Sequence, residues 1–390
     1  MRTTLVMGTR PEAIKLAPVV ERLKDRGHDT VVVSTGQHKE MLEQTLALFG
    51  IVPELDLAVM QPNQRLSELT ARVLTRVSDA LAEIQPDVVL VQGDTTTAFA
   101  AALAAFYTGL PVGHVEAGLR SLDPRNPFPE EANRRLVAVT AGMHFAPTRR
   151  AAANLIREGV ASERIVVTGN TVVDALSTLL PAARALRAAD PLLSRSGDGR
   201  LLLVTSHRRE SWGADLESIC LALTDLVTRF DDVHVIWPVH LNPNVRTTVT
   251  RLLGGTARIH LAPPVDYMAF LQLMERAHLV LTDSGGVQEE APSLAKPVLV
   301  LRKLTERPEA CESGAARIVG TDRATIVREA SRLLSEPSAY AAMATGINPF
   351  GDGHAADRIV DALEGWMQPA ATAVVNSRDG DAGVAEASAA

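Results

Sequence analysis

Several apolar, strand-like runs in this chain end in residues that can move protons or hold anions. "VQGDTTT" delivers Asp94, and the next run, "GHVEAGLRS", delivers Glu116. A few residues on, "NPFPEEANRR" adds Glu130 and Glu131. Close carboxylates push one another's pKa upward, so such a cluster is either neutralised by arginine, with Arg120 and Arg134 at hand, or used for proton transfer. Taken alone, the Asp-Thr-Thr of the first run reads better as a helix cap; the neighbouring acids shift the weight toward chemistry. "MGTRPEAIKLAP" sets Gly8 at a turn, Pro11 near a helix start, and Arg10 and Lys15 within reach of one ligand, at the helix end that favours anions. In the second half, "TSHRRES" gathers His207, Arg208 and Arg209 at a strand end, an anion site by composition. "PVHLNPN" repeats the theme with His240 and Asn242.

"TDSGGVQEEAP" combines a phosphate turn with acids. Ser284, Gly285 and Gly286 can offer backbone N–H groups to a pyrophosphate, while Glu290, one helical turn further, can accept both hydroxyls of a ribose. The plainer reading makes Glu289 and Glu290 compensate the helix dipole. On the first reading Asp283 and Glu289 serve the local structure. "KLTERPEA" adds a further cation, Arg307. No histidine pair stands at i, i+4 beside an acid, so no metal site is predicted. Cys220 and Cys311 stand far apart and read as ordinary thiols.

Elements must bring these residues together. Short β-branched runs alternate with helical patterns throughout, the signature of parallel sheets built from βαβ units. The first half offers "TTLVMG", "DTVVVSTG", "PDVVLVQGD", "PVGHVEAG", "MHFAPT" and "RIVVTGN"; the second offers "RLLLVTSH", "DVHVIWPVH", "RIHLAPPV", "HLVLTDSGG", "KPVLVLR" and "ARIVG". Leu66, Leu69, Val73, Val77, Leu81 and Ile84 recur at helical spacing. The fold class is α/β, with two Rossmann-like doubly wound domains in 390 residues, at residues 1–180 and 181–353. Ligands of such sheets sit beyond the carboxyl ends of the strands, where the polar residues gather. The stretch 370–390, small, polar and aperiodic, reads as a disordered tail. A net charge of -7 argues against nucleic acid as a partner. No stretch approaches the ~18 apolar residues of a membrane span, and the first apolar run is too short for a signal peptide, so no membrane partner and a cytoplasmic location are expected.

Together, "GTRPEAIKLAP", "QGDTTT", "GHVEAGLRS", "PEEANR", "TGNTVVDAL", "SHRRES", "PVHLNPNVR", "DSGGVQEEAPSLAKPVLVLR", "TERPEA" and "NPFGDGHAADRI" resemble the non-hydrolysing UDP-N-acetylglucosamine 2-epimerases, in order from about Thr3 to Trp366. The resemblance implies the glycosyltransferase-B architecture, two domains facing a cleft, with a C-terminal helix at 354–369 crossing back to the first domain. It implies interconversion of UDP-N-acetylglucosamine and UDP-N-acetylmannosamine, for use in cell-surface glycans, by a homodimer. Carried onto matching positions, Arg10, Lys15, Asp94, Glu116, Glu130 and His207 resemble the catalytic group. Ser284, Gly285, Gly286 and Glu290 resemble the uridine diphosphate site, with Phe270 beside the base and Arg307 near the sugar. Gln37, Glu40, Arg208 and His240 match an activating second UDP-N-acetylglucosamine site. Ser206, Val265, Asn63 and Glu40 depart from residues frequent in such relatives.

C2 of the sugar is not next to a carbonyl, so direct enolisation is unavailable. Loss of UDP from C1 as a base removes the C2 proton, then return of both on the other face of C2, inverts the centre without a cofactor. The C2 hydrogen is anti to UDP in the gluco sugar and on its side in the manno sugar, so two acid/base groups are expected among Asp94, Glu116 and Glu130. The rivals are a hydrolysing 2-epimerase, a glycosyltransferase, an epimerase of a modified UDP-sugar, and a UDP-sugar sensor without activity. The acids on the first half weigh against the sensor.

Overall fold

The computed structural model describes residues 1–37, 39–61, 64–186, 192–208 and 211–368, without the side chains of residues 39 and 40. The expected tail at 370–390 and the side chain of Glu40 therefore lie outside the described residues.

The twelve strands expected from the alternating pattern all form. The first sheet holds β1 (Arg2–Met7), β2 (Asp29–Ser34), β3 (Leu55–Asp56), β4 (Val88–Gln92), β5 (Val112–Val115), β6 (Met143–Ala146) and β7 (Ile165–Val167). Its seven strands are parallel, in the order β3-β2-β1-β4-β5-β6-β7. The second sheet holds β8 (Arg200–Thr205), β9 (Val233–Pro238), β10 (Ile259–Ala262), β11 (Leu279–Thr282), β12 (Val298–Val300) and β13 (Ala316–Ile318). It is also all parallel, in the order β10-β9-β8-β11-β12-β13. The added strand, β3, is two residues long, too short to carry a period.

Helices cover both faces of each sheet, which explains why β4 is buried along its whole length and reads as a continuous apolar run. One apolar core fills the outer face of the first sheet, around Val73, Val91 and Ala101. A second lies around Leu202, Trp237 and Leu299. The largest runs continuously from Leu5 and Leu16 through Leu176 and Leu179 to Leu203 and Leu273, and so joins the two halves. Its bridge is the helix Thr171–Leu186, which touches the helices Arg10–Asp25 and Tyr267–Arg276. The helix Ala355–Met367, late in the chain, packs its Ile359, Val360 and Leu363 into this core, against Arg10–Asp25.

In each sheet the chain builds outward from the first strand, then returns to its other side with the fourth: β4 beside β1, and β11 beside β8. Connections leave such neighbours in opposite directions and open a crevice at their carboxyl ends. The two crevices face each other, as the glycosyltransferase-B architecture implies, because Lys15 and Glu116 of the first half meet Glu289 and Arg307 of the second.

Candidate active site

Each crevice is built from turns that the sequence specifies locally. After β1, Gly8 is required by space: a Cβ there would stand 2.2 Å from Thr35 Oγ1 and 2.6 Å from Thr97 Oγ1. Thr9 then caps the helix Arg10–Asp25, with Pro11 in its first turn. Glu12, three residues after the cap, accepts from the N–H groups of Gly8 and Thr9 and from the hydroxyls of Thr9 and Thr95, at 2.7–3.0 Å. This rigid start fixes Arg10 and, from the helix interior, the buried Lys15.

Glu116 follows β5 with a φ of 64°, a left-handed conformation that is uncommon for a residue with a Cβ. Its carboxylate pairs with Lys15 Nζ and accepts from Gln92 Nε2 at 2.8 Å. From the other half, Glu289 Oε2 lies 3.0 Å from the same Lys15 Nζ, and Arg307 Nε donates to Glu289 Oε1 at 2.8 Å. Arg307 also comes within 3.9 Å of Glu116 and 3.6 Å of Glu306. Lys15, Glu116, Glu289 and Arg307 thus form one buried group of alternating charge across the cleft. Burial raises the pKa of Glu116, helped by Glu289 and opposed by Lys15 and Arg307. Burial also acts to raise that of Glu289, yet Lys15 and Arg307 outweigh it and hold this acid below the usual carboxylate range. Assigning Glu289 to local structure alone is therefore incomplete: it is a bridge between halves.

Asp94 follows Gly93, which turns the chain after β4 with a φ of 71°. Its carboxylate pairs with Arg134, and its carbonyl accepts from Asn133 Nδ2 at 2.9 Å. Glu130 opens the helix Glu130–Thr140 nearby. Burial, with the charge of Asp94 adding to it, raises the Glu130 pKa, while Arg134 and Arg208 act against the rise. Glu130 Oε2 is buried with no hydrogen-bond partner among the described residues. Glu131 turns away to accept from Ser121 N and to pair with Arg134 and Arg135. Of the two arginines expected to neutralise the acids, only Arg134 does so, since Arg120 is held by both carboxylate oxygens of Glu158.

In the second half, His207 follows β8 and Ser284 caps the short helix Gly285–Glu290 after β11. The guanidinium of Arg307 covers Gly285, 2.7 Å from where a Cβ would be. Glu290 is buried and accepts from Tyr267 Oη at 3.3 Å. Burial and the charge of Glu289 push its pKa up to about 7, against Lys15, Tyr267 and Arg10. Phe270 lies one turn along the helix that Tyr267 begins, half-buried against the core. Asp283, read as structural, reaches His207: its Oδ1 lies 3.1 Å from His207 Nδ1.

Of the residues matched to a second nucleotide-sugar site, Arg208 and His240 adjoin His207. The His240 ring stacks on that of His207 with centroids 5.7 Å apart, and Arg208 Nε donates to the carbonyl of Asp283. Gln37 follows β2, accepting from Thr97 Oγ1 at 2.9 Å. Sequence reasoning passed over Glu12 and Glu306, and gave Asp283 and Glu289 only local structural duties. Only Glu12 carries a local signal, the Thr-x-x-Glu capping pattern.

No group of three or more His, Cys, Asp or Glu suited to a metal occurs among the described residues, and none of their helices is long and apolar enough to cross a membrane. Residues 21–364 match the family model described as UDP-N-acetylglucosamine 2-epimerase. The UDP-N-acetylglucosamine 2-epimerase of Escherichia coli strain K12 is 52% identical over 373 residues, covering 93% of this chain and 98% of that one. Among solved structures, UDP-GlcNAc 2-epimerase from Neisseria meningitidis bound to UDP-GlcNAc is 44% identical, with a TM-score of 0.88 over 94% of this chain and all of that one (100%). The S. aureus MnaA-UDP co-structure is 42% identical, with a TM-score of 0.87 over 94% of this chain and 97% of that one. With matches of this extent in sequence and in fold, the chain belongs to the UDP-N-acetylglucosamine 2-epimerase family.

Proposed function

We propose that the chain interconverts UDP-N-acetylglucosamine and UDP-N-acetylmannosamine without releasing free sugar. The observation that carries this reading is the cleft's division of labour: acids of the first half with raised pKa, Glu116 and Glu130, face cations and a Ser-Gly-Gly turn of the second. The relatives bound to UDP-GlcNAc and to UDP support the substrate class. A base in the acid cluster removes the C2 proton, whose electron pair forms the C1–C2 double bond as the C1–O bond breaks toward UDP. The products are 2-acetamidoglucal and UDP. A second acid returns a proton to the opposite face of C2 as a β-phosphate oxygen rebonds to C1. Asp94, Glu116 and Glu130 supply the proton-transfer groups, and the raised pKa of Glu116 and of Glu130 suits those two to hold a proton and return it. Arg10, Lys15, His207 and Arg307 receive the charge that grows on the departing pyrophosphate. Glu290 holds the ribose, the Ser284–Gly286 turn holds the pyrophosphate, and Phe270 lies beside the base. Gln37, Arg208 and His240 are proposed to contact an activating second UDP-N-acetylglucosamine. Closure of the halves keeps both fragments in and water out.

Incubation with UDP-N-acetylglucosamine in deuterated water, followed by NMR, tests the reading. Deuterium at C2 of a UDP-linked manno product is expected. Release of free N-acetylmannosamine would replace the proposal with hydrolysis, and an unchanged substrate would overturn it.

A further inference from the structure

We propose that Asp283 is a positioning residue for His207, holding the imidazole with its proton on Nδ1 and leaving Nε2 for the ligand. The proposal rests on the reading that His207 meets the departing UDP. Asp283 is fully buried at the end of β11, and its Oδ2 accepts three donors from the turn after β8: Ser206 Oγ at 3.0 Å, His207 N at 2.7 Å and Arg208 N at 2.9 Å. Those bonds fix the carboxylate plane and aim Oδ1 at His207 Nδ1, 3.1 Å away. The approach is off the ideal hydrogen-bond line, and Oδ1 has no hydrogen-bond partner among the described residues. Catalytic hydrogen bonds are often poorly aligned before substrate binds and tighten in the complex. The ring has room to make that adjustment, because the His207 side chain is 43% exposed. On its other side the His240 ring, itself held by the N–H of Asn242 at 3.1 Å, limits how far it can swing.

The chemistry then dictates the tautomer. Burial acts to raise the Asp283 pKa, but His207 and the two backbone N–H groups more than offset it, so the acid is held below its ordinary value. An ionised carboxylate only accepts, so the neutral imidazole facing it carries its proton on Nδ1. The free Nε2 is then an acceptor when the ring is neutral and a donor to an anion when it is protonated. If Asp283 only closed the turn, this choice of tautomer would have no consequence.

Asp283→Asn separates the two roles. The single amide oxygen must take the place of Oδ2, since two backbone N–H groups and a hydroxyl point there. The amide NH₂ then faces Nδ1, which becomes an acceptor, and the ring proton moves to Nε2. With ¹⁵N-labelled histidine, and His207 identified by the signal lost in His207→Gln, the full-length wild-type protein above the histidine's titration is expected to show a protonated Nδ1 and a bare Nε2. Asp283→Asn is expected to reverse this, and to lower kcat on the order of 10²- to 10⁴-fold, as loss of an orienting acid does. KM and the Kd for UDP should change by less than about tenfold. A wild-type His207 protonated on Nε2, or an Asp283→Asn variant that keeps wild-type kcat, would overturn the assignment. Should the variant fail to fold, the wild-type spectrum alone decides. The spectrum needs no turnover, so an inactive wild-type protein would count against the proposed epimerisation and not against the placement of the proton.

Discussion

Glu116 and Glu290, proposed for different duties, show how two carboxylates on opposite sides of one cleft acquire different surroundings. Glu116 occupies left-handed backbone, with a φ of 64°, a conformation that persists where surrounding contacts over-determine it. Its contacts, Lys15 and Gln92, are those that aim it into the cleft. Glu290 instead rests against Tyr267, with burial and then Glu289 opposing its charge. A carboxylate that accepts two ribose hydroxyls must be ionised, and Glu290 titrates at about 7 in the free protein. Binding UDP must therefore expel a proton as pH falls below that point, and affinity must decline. Calorimetric titration of UDP at pH 8 and pH 6.5 should show a weaker Kd at the lower pH. Glu290→Gln should bind at least roughly tenfold more weakly at pH 8, the scale of hydrogen bonds to a charged group. Its Kd should also change less with pH. The nucleotide's own phosphate titrates at about 6 and is common to both proteins, so the difference isolates Glu290. Parallel pH responses would remove Glu290 from the ribose.

At the scale of elements, strand ends and helix starts carry the site. The helix Arg10–Asp25 presents Arg10 and Lys15 only because its first turn is pinned, and Glu12 does the pinning with four donors and no other partner required. A glutamine has one acceptor oxygen where the carboxylate has two, and its NH₂ would confront donors. Glu12→Gln should lower the free energy of unfolding by about 1–3 kcal/mol, read from urea denaturation, and should reduce turnover as Lys15 loses its fixed place. Most of this architecture was legible in the chain: apolar runs marked the strands, and Gly, Thr and Pro marked the turns after them. Legibility failed where partners are distant. Nothing local distinguishes Arg120 from Arg134, yet Arg120 pairs with Glu158 and Arg134 with Asp94. Glu289 read as a dipole-compensating residue because its partner Lys15 lies 274 positions earlier in the numbering.

The whole molecule depends on one core that spans both halves. At the rear, Arg22 pairs with Asp357 at 2.7 Å, Arg26 with Asp361 at 2.6 Å and His28 with Glu364 at 2.9 Å, tying the helix Ala355–Met367 to Arg10–Asp25. Partly exposed pairs of this kind contribute little each; Ile359, Val360 and Leu363, fully buried, supply most of the hold. Burial also keeps two core histidines of the first sheet neutral, His114 on β5 and His144 on β6, lowering their pKa to about 4 and about 3. Unfolding frees both to protonate below their ordinary value. Stability is therefore full above about pH 6.5 and falls as pH drops toward the folded-state values. Between pH 7 and pH 5 each histidine should cost about 2 kcal/mol, and His144→Leu should shrink the pH dependence of the urea midpoint by one histidine's share. An unchanged dependence would place the acid sensitivity elsewhere.

By itself the sequence determined the class of fold, the strand ends at which polar residues gather and the types of group available there, because periodicity and turn chemistry act over a few residues. It also offered a candidate phosphate turn, whose Ser-Gly-Gly and following acids are contiguous. The tertiary structure alone decided which charges meet: Lys15 between Glu116 and Glu289, Arg134 on Asp94, and Asp283 against His207. Ion pairs and hydrogen bonds across a cleft depend on distances between atoms far apart in the chain, and burial, which moves the pKa of Glu116 and Glu290, exists only once the two halves have closed over them.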